Sequence, residues 1–156
     1  MSTEANQPEN DLQQFIIQRL YIKNSSFETT KTPAIFQKKW EPELNLELNT
    51  NHTELEANTY EVTLTVTATV KNKEETAFLV EVQQAGVFTV NGPDAEQLNH
   101  ILGSFCPSIL FPYVRETVSS LVTKGSFPPL VLSPINFDAL YMQKMQAQQE
   151  QKVDVQ

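Results

Sequence analysis

The fold of this chain is indicated most clearly by Glu74–Gln84, the stretch EETAFLVEVQQ. Successive side chains of a β-strand point to opposite faces of the sheet, so this stretch has two faces of different character. One face carries Phe78, Val80 and Val82, and the other carries Ala77, Leu79, Glu81 and Gln83. The first face is typical of a hydrophobic core. The second places an apolar side chain beside a carboxylate, which predicts an exposed acidic docking surface without catalytic chemistry.

Three further stretches alternate in the same way and predict strands at Phe15–Lys23, Leu44–Asn49 and Tyr60–Val70. In the last of these, five apolar residues alternate with polar ones, mostly threonines, as expected for a half-buried sheet. The polar turn Lys71–Glu74 joins Tyr60–Val70 to the Glu74–Gln84 strand and predicts an antiparallel hairpin. Gly86 predicts a bend or bulge late in that strand.

The period of the apolar residues changes to a helical one in the second half of the chain. Asp94 is predicted to cap a short helix that Gly103 ends. Cys106-Pro107 is predicted to break the chain, and a longer helix then runs to Lys124 with Pro112 in its first turn. We therefore expect two separate helices before the last one.

Two other segments complete the predicted architecture. Ser25–Trp40 contains four aromatic or large apolar residues around a Thr-Lys-Pro centre and is predicted to be a long crossing loop. Asn136 is predicted to cap a terminal helix with Asp138 in its favourable first turn. Four predicted strands followed by helices indicate an α+β fold.

At 156 residues the chain is expected to form one domain, which spans residues 15–145. The polar segment 1–14 and the Gln-rich segment 146–156 lack the apolar periodicity needed to bury a face, so both are predicted to be disordered tails. The first residues have no basic or apolar signal-peptide regions.

Composition narrows the classes of partner. The formal charge of −8 and the pI near 4.7 disfavour nucleic acid, which needs clusters of Lys and Arg, and favour basic partners. The sequence contains no continuous apolar run of about 18 residues, so no membrane-spanning helix is predicted. The single cysteine, Cys106, suits a reducing, cytoplasmic environment.

Few residues offer catalytic or metal-binding chemistry. His52 and His100 have no cysteine or carboxylate at metal-ligand spacing, so satisfied or solvated histidines are the favoured interpretation. Cys106 precedes a proline and has no sequence context of a nucleophile, and a small buried residue is favoured. We expect no catalytic residues, no cofactor and no metal site.

Aromatic and acidic residues have both a structural and a functional interpretation. One face of the terminal helix carries Phe137, Leu140, Tyr141 and Met145. Core packing is the commoner reason for such a face. A solvated surface is likewise the commoner reason for the carboxylates of Glu28, Glu61, Glu74, Glu75 and Glu81. Their occurrence together in a small domain without catalytic groups favours binding.

Several ordered motifs resemble the SecB family of bacterial protein-export chaperones. They are EETAFLVEVQQ at Glu74–Gln84, FCPSILFPYVRE at Phe105–Glu116 and NFDAL at Asn136–Leu140, with Phe36-Gln37-Lys38 and Trp40 upstream. The resemblance covers the chain from Phe15 to Gln146. It implies a cytosolic, ATP-independent chaperone that holds precursor proteins unfolded and delivers them to the SecA ATPase. It also implies a four-stranded antiparallel sheet with helices packed on one face. Two subunits would join their sheets, and two such dimers would pack through helices into a homotetramer, a dimer of dimers.

The resemblance also implies two sets of site residues. The SecA-binding face comprises Asn24, Glu28, Leu79 and Glu81. Asn24 stands where the family usually has an aspartate, so one charge is missing. The client groove lies between the crossing loop and the helices and is lined by Trp40, Phe78, Tyr113, Phe137 and Tyr141. The partner segment is the zinc-bearing C-terminal tail of SecA, and the zinc belongs to that partner.

Two other classes of function remain open on the residues alone. An acidic adaptor would form one defined complex with a folded basic partner and would ignore unfolded chains. A small α+β enzyme using Cys106 or His100 would need a base beside the thiol, and the sequence offers none.

Overall fold

Four long strands dominate the structure, a computed structural model that describes residues 14–154. They are β1 (Gln14–Glu28), β2 (Pro42–Glu56), β3 (Thr59–Asn72) and β4 (Glu75–Asn91). All pairs are antiparallel and the order is β1-β4-β3-β2, so β1 and β2 are the edges. The predicted N-terminal tail lies outside the described residues, except that Gln14 begins β1.

The helices lie on one face of this sheet, as predicted. They are α1 (Ala95–His100), α2 (Cys106–Lys124) and α3 (Phe137–Asp154), and a π-helical turn, Ile101–Phe105, connects the first two. We call the covered side of the sheet the helix face and the opposite side the open face. No helix in the described part of the chain is long and apolar enough to cross a membrane.

The predicted alternation places the core on the helix face. β3 contributes Val62, Leu64, Val66, Ala68 and Val70, and α2 contributes Leu110, Val114, Val118 and Val122. All nine side chains are at most 2% exposed. Burying each of the larger ones stabilises the fold by roughly 1.5–3 kcal/mol, so this interface fixes where the sheet faces solvent.

The predicted interruptions between α1 and α2 are wrong. The Cys106 N–H donates to the Ile101 carbonyl oxygen, which closes a wider turn and lets the helical path continue. Gly103 therefore ends nothing, and Pro107 lies in the first turn of α2. Pro112 lies in the interior of α2 instead of its first turn. It lacks only the N–H that would have met the Ser108 carbonyl, and the exposed helix surface accommodates this loss.

The crossing loop is shorter than predicted. The segment up to Glu28 belongs to β1, because Phe27 pairs with Val80 and packs its ring 5.6 Å from that of Phe78. A short 3₁₀ helix, Ala34–Gln37, lies within the remaining crossing segment.

Two features of β4 differ from the simple alternation. The strand continues straight through Gly86, and the irregularities of this pairing lie on β1 instead. A Cβ at Gly86 would lie 2.7 Å from the Phe88 ring, so the glycine makes room for that ring. Ala77, predicted to share the face of Leu79, is fully buried, because it is the extra residue between the pairs Val70–Phe78 and Lys71–Thr76.

The terminal helix begins as predicted and ends later. The Asn136 side chain accepts a hydrogen bond of 3.0 Å from the Ala139 N–H, which caps the first turn. The helix then runs to Asp154 without a break at Gln146, where the tail was predicted to begin. Gln, Ala, Glu and Lys residues favour helix without packing against anything, whereas apolar periodicity reports burial only.

Candidate functional site

The four predicted SecA-binding residues lie together on the open face. Glu28 pairs directly with Leu79, and Asn24 pairs with Gln83. Glu81 lies between these two pairs on β4, on the same face. Directly opposite residues of antiparallel strands hold their Cβ atoms about 4.5–5.5 Å apart. The structure therefore brings all four residues into one patch across β1 and β4, which we call the docking patch.

A bulge in β1 is responsible for this arrangement. Tyr21 lies on the open face opposite Ala85, and without interruption Asn24 would lie on the helix face. The pairing shifts between Ile22 and Asn24, so the extra residue Lys23 reverses the alternation. Asn24 and Glu28 then point away from the helices and are exposed.

The side chains of the docking patch are more buried on β4 than on β1. Leu79 and Glu81 are half-buried because they lie on a central strand, whereas their neighbours Phe78 and Val80 are 2% and 0% exposed. The end of β1 is fixed by Thr29, whose hydroxyl donates a 2.9 Å hydrogen bond to the Ala77 carbonyl. The backbone of the patch is therefore held in place where β1 ends.

One carboxylate of the open face already has partners within the chain. Glu61 accepts a hydrogen bond from the Tyr21 hydroxyl and lies 3.0 Å from the Lys23 ammonium. Burial, reinforced by the hydrogen bond to Glu61, raises the pKa of Tyr21 to about 12. The Tyr21 hydrogen bond and the contact with Lys23 lower the pKa of Glu61. Glu61 thus belongs to an internal network and differs from Glu81, with which it was grouped as a solvated carboxylate.

An aromatic cluster lies at one end of the helix face. Its centre is Phe127, whose ring centroid is 4.8 Å from that of Phe78 and 5.7 Å from that of Trp40. Phe27 and the half-exposed Phe36 complete this cluster at 6.3 and 5.2 Å from Phe127. The structure thus brings Trp40 and Phe78 together, as the predicted groove requires.

A pocket of about 430 Å³ lies at the other end, between β2 and α3, and contains the predicted Phe137 and Tyr141. Its full lining is Leu48, Asn49, Thr50, Gly103, Phe137, Leu140, Tyr141 and Lys144. We call it the Tyr141 pocket. A Cβ at Gly103 would lie 2.7 Å from the Tyr141 ring, so the glycine lets this ring seat against the π-helical turn.

Edge strand β2 connects the two apolar sites. Leu44 lies in the same cross-strand row as Phe78, and Leu48, two rows further along, lines the Tyr141 pocket. Four residues of strand span about 13 Å. Leu44 is 43% exposed, and Leu46 and Leu48 are half-buried. The result is an apolar strip, open along the edge of the sheet.

Tyr113 lies at neither apolar site. It is 46% exposed on α2 and lines no part of the Tyr141 pocket, and its ring makes no aromatic contact with the cluster in the described part of the chain. Phe127 and Gly103 were missed in its place. A Gly-Ser-Phe-Pro-Pro stretch carries no periodicity to mark Phe127, and a helical glycine was interpreted only as a stop.

The contact of α3 with the end of α1 and with the π-helical turn includes a histidine and an aspartate. One oxygen of Asp138 lies 2.9 Å from His100 Nε2 and also accepts a hydrogen bond from the Ser104 hydroxyl. The Ser104 hydrogen bond is the main cause that lowers the pKa of Asp138, and His100 adds to it. This group holds the start of α3 in place at the Tyr141 pocket.

The remaining reactive residues do not form a catalytic arrangement. Cys106 is fully buried, and burial raises the pKa of its thiol to about 12, so a thiolate nucleophile is strongly disfavoured. Among the side chains of residues 14–151, no group of three His, Cys, Asp or Glu residues is placed to hold a metal ion. The geometry therefore supports binding, by an apolar strip on one face and a charged patch on the other.

Comparison with known proteins gives a consistent result. The family model described as "Preprotein translocase subunit SecB" matches residues 7–148. The "Protein-export protein SecB" of Legionella pneumophila (strain Philadelphia 1) is 64% identical over 142 residues, which cover 91% of this chain and 88% of the relative. The protein of the same name from Pseudomonas fluorescens (strain Pf0-1) is 57% identical over 137 residues, which cover 88% and 85% of the two chains.

A similar fold occurs among solved structures. It is found in the Mycobacterium tuberculosis Rv1957 SecB-like chaperone in complex with a ChAD peptide from the Rv1956 HigA1 antitoxin. The similarity has a TM-score of 0.66 at 19% identity and covers 78% of this chain and 90% of that one.

Proposed function

The chain belongs to the SecB family and is a protein-export chaperone, and from this premise we propose that it uses the two faces of its sheet for two different ligands. The helix face holds unfolded precursor proteins in the cytoplasm, without ATP, and the open face delivers them to SecA. The observation that carries this proposal is that β4 separates a buried apolar face from a half-buried acidic one. The SecB family is a class of chaperones and not of enzymes. The alternative, an acidic adaptor for one folded basic partner, does not account for the apolar strip.

The client site is the apolar strip from Trp40 to Tyr141. An unfolded chain exposes aliphatic and aromatic side chains, and each one buried here contributes on the order of 1.5–3 kcal/mol. Ordering the client costs conformational entropy, so a single contact binds weakly. Several subunits that engage one client raise the effective concentration of the remaining sites, which converts weak contacts into tight binding.

The SecA site is the docking patch of Asn24, Glu28, Leu79 and Glu81. Its carboxylates attract the basic zinc-bearing C-terminal tail of SecA, and Leu79 adds an apolar contact. Asn24 supplies no charge, so Glu28 and Glu81 carry the attraction. Because exposed charges are screened over a Debye length of about 10 Å at 0.1 M salt, this contact weakens as salt is added.

Assembly into a homotetramer, a dimer of dimers, follows from the uncovered surfaces. The edge strand β1 exposes Ile16, Ile17 and Ile22 by 43–49%, and an apolar edge with unpaired backbone groups favours pairing with a second copy. The outer side of α2 provides the second interface, between dimers.

A client assay tests the proposal. The protein should suppress aggregation of a denatured precursor, and Trp40→Ala or Tyr141→Ala should each weaken precursor binding by about tenfold, since each removes roughly 1.5 kcal/mol of apolar contact. Circular dichroism and a tetrameric mass by native mass spectrometry should be unchanged. Ser133→Ala, at an exposed position outside the strip, is the control. Client affinities equal to the parent's in both variants would reject the strip as the client site.

A further inference from the structure

We propose that the negative charge of the open face forms one band across all four strands, and that Glu47 on β2 is part of the partner-binding surface. The inference rests on the proposed docking function and extends it from two strands to the whole sheet. It commits to one occupant, a basic segment of the partner that lies across the strands.

The pairing register places Glu47 in line with Glu81. Glu81 pairs with Thr67, and Thr67 pairs with Glu47 on its other side. Neighbouring strands lie about 4.8 Å apart, so the two glutamate Cα atoms are about 10 Å apart on the same face. The adjacent row contains Glu28 and Leu79 and lies about 7 Å away along the strands. Three carboxylates therefore lie around the apolar Leu79.

The charges outside these two rows cancel or reverse. On one side Lys71 pairs directly with Glu43, so that row has no net formal charge. On the other side lies the neutral row of Asn24, and beyond it Arg19 and Lys23 exceed the charge of Glu61 by one. The formal charge of −3 on Glu28, Glu47 and Glu81 is therefore confined to a band two rows wide.

The three carboxylates of the band are available to a partner. The ion pairs found among the side chains of residues 14–151 involve Glu41, Glu61, Glu75 and Asp138. None involves Glu28, Glu47 or Glu81. Glu47 is exposed, and Thr67 between it and Glu81 is half-buried, so no bulky side chain separates the two carboxylates.

The band determines the chemistry of the segment that fits it. Two glutamates whose Cα atoms are about 10 Å apart match two Lys or Arg side chains three residues apart in a polyproline-II segment. That conformation has three residues per turn and rises about 3.1 Å per residue, so both side chains point to the same side about 9 Å apart. A small apolar residue between the cations would contact Leu79. A segment parallel to the strands would instead leave the negative rows within a few residues and meet Lys71 or Lys23.

A titration of charge-reversal variants tests this orientation. The probe is the isolated, zinc-loaded C-terminal tail of SecA, titrated at low and at raised salt. Glu47→Lys should weaken binding about tenfold at low salt, because it replaces an attraction by a repulsion at an exposed position. Glu54→Lys is the matched control: it makes the same change in net charge on the same strand, opposite Tyr60, and should bind within about twofold of the parent.

The outcomes separate this inference from the function on which it rests. Equal losses of affinity in Glu47→Lys and Glu54→Lys would show an effect of net charge alone and would overturn the band. Parent-like binding by Glu47→Lys, in an assay in which Glu81→Lys fails to bind, would also overturn it. Parent-like binding by Glu81→Lys would reject the docking patch itself. Glu47→Gln, which keeps the side-chain volume, should show a smaller loss and a weaker salt dependence, and a tetrameric mass confirms that each variant is folded.

Discussion

The two faces of β4 differ in burial and in charge, although their residues alternate along one strand. Phe78, Val80 and Val82 are at most 2% exposed beneath α2, while Leu79 and Glu81 are half-buried on the open face. Packing decides the identity of the first set, because interiors are close-packed. Among the side chains of residues 14–151, no ion pair involves Glu81, and the second set lies outside the core. A strand can therefore carry stability and recognition at once, with each on its own face.

A substitution in each face should separate the two roles, and the largest effect is expected for the buried one. Phe78→Ala removes a ring that contacts Phe27 and Phe127 and should lower the free energy of unfolding by about 3–5 kcal/mol. Leu79→Ala, one residue later, should lower the free energy of unfolding by about 1 kcal/mol or less, but it should weaken binding of the SecA tail. Urea denaturation at one fixed protein concentration measures both. Similar losses of stability would mean that the open face is structural as well.

A charge reversal should then affect recognition without affecting stability. Glu81→Lys replaces attraction by repulsion within the docking patch, which costs up to several kcal/mol where like charges meet, so binding of the SecA tail should be lost at low salt. Client binding and the unfolding midpoint should remain those of the parent. Calorimetric titration of the tail and an aggregation assay with a denatured precursor make the comparison. A variant that loses client binding instead would show that the two surfaces have been interchanged.

The smallest expected effect concerns the internal network of the open face. The lowered pKa of Glu61 stabilises the folded state above the ordinary pKa of the carboxyl, and this stabilisation is lost as the pH falls through the lowered value. The pKa of Tyr21 is raised from 10.0 to about 12, so its contribution is present below pH 10 and is lost as the pH rises toward 12. The urea midpoints of the parent and of Tyr21→Phe should therefore differ at neutral pH and converge at low pH. A difference independent of pH would assign the effect to packing.

Part of the site could be predicted because it depends on local order. The alternation around Val80 needs only the two-residue repeat of a strand, and the Asn136 cap needs only a side chain three residues from an N–H. The resemblance placed Glu28 beside Leu79 correctly. Alternation alone would have placed Asn24 and Glu28 on the wrong face, since nothing local marks Lys23 as an extra residue.

The helical half shows the same division. The periodicity of α2 was recognised because its buried stripe repeats with the helix. The path from α1 into α2 was not, because Gly103 and Pro107 are local signals for a stop. The seat that Gly103 offers to the Tyr141 ring is a tertiary contact, and a chain can accept a poor local conformation where such a contact compensates for it.

The sequence by itself determined that there are four strands, the faces of β3 and of β4 beyond Ala77, the acidic character of the chain and its family, since these depend on the spacing of residue types along the chain. Only the tertiary structure decided that two β1 bulges reorient the edge strand, that Phe127 gathers four aromatic rings, and that Glu61 is neutralised while Glu47 and Glu81 stand free in one row. These relations join residues that are distant along the chain. Pairing register and packing create them, and no local repeat encodes either.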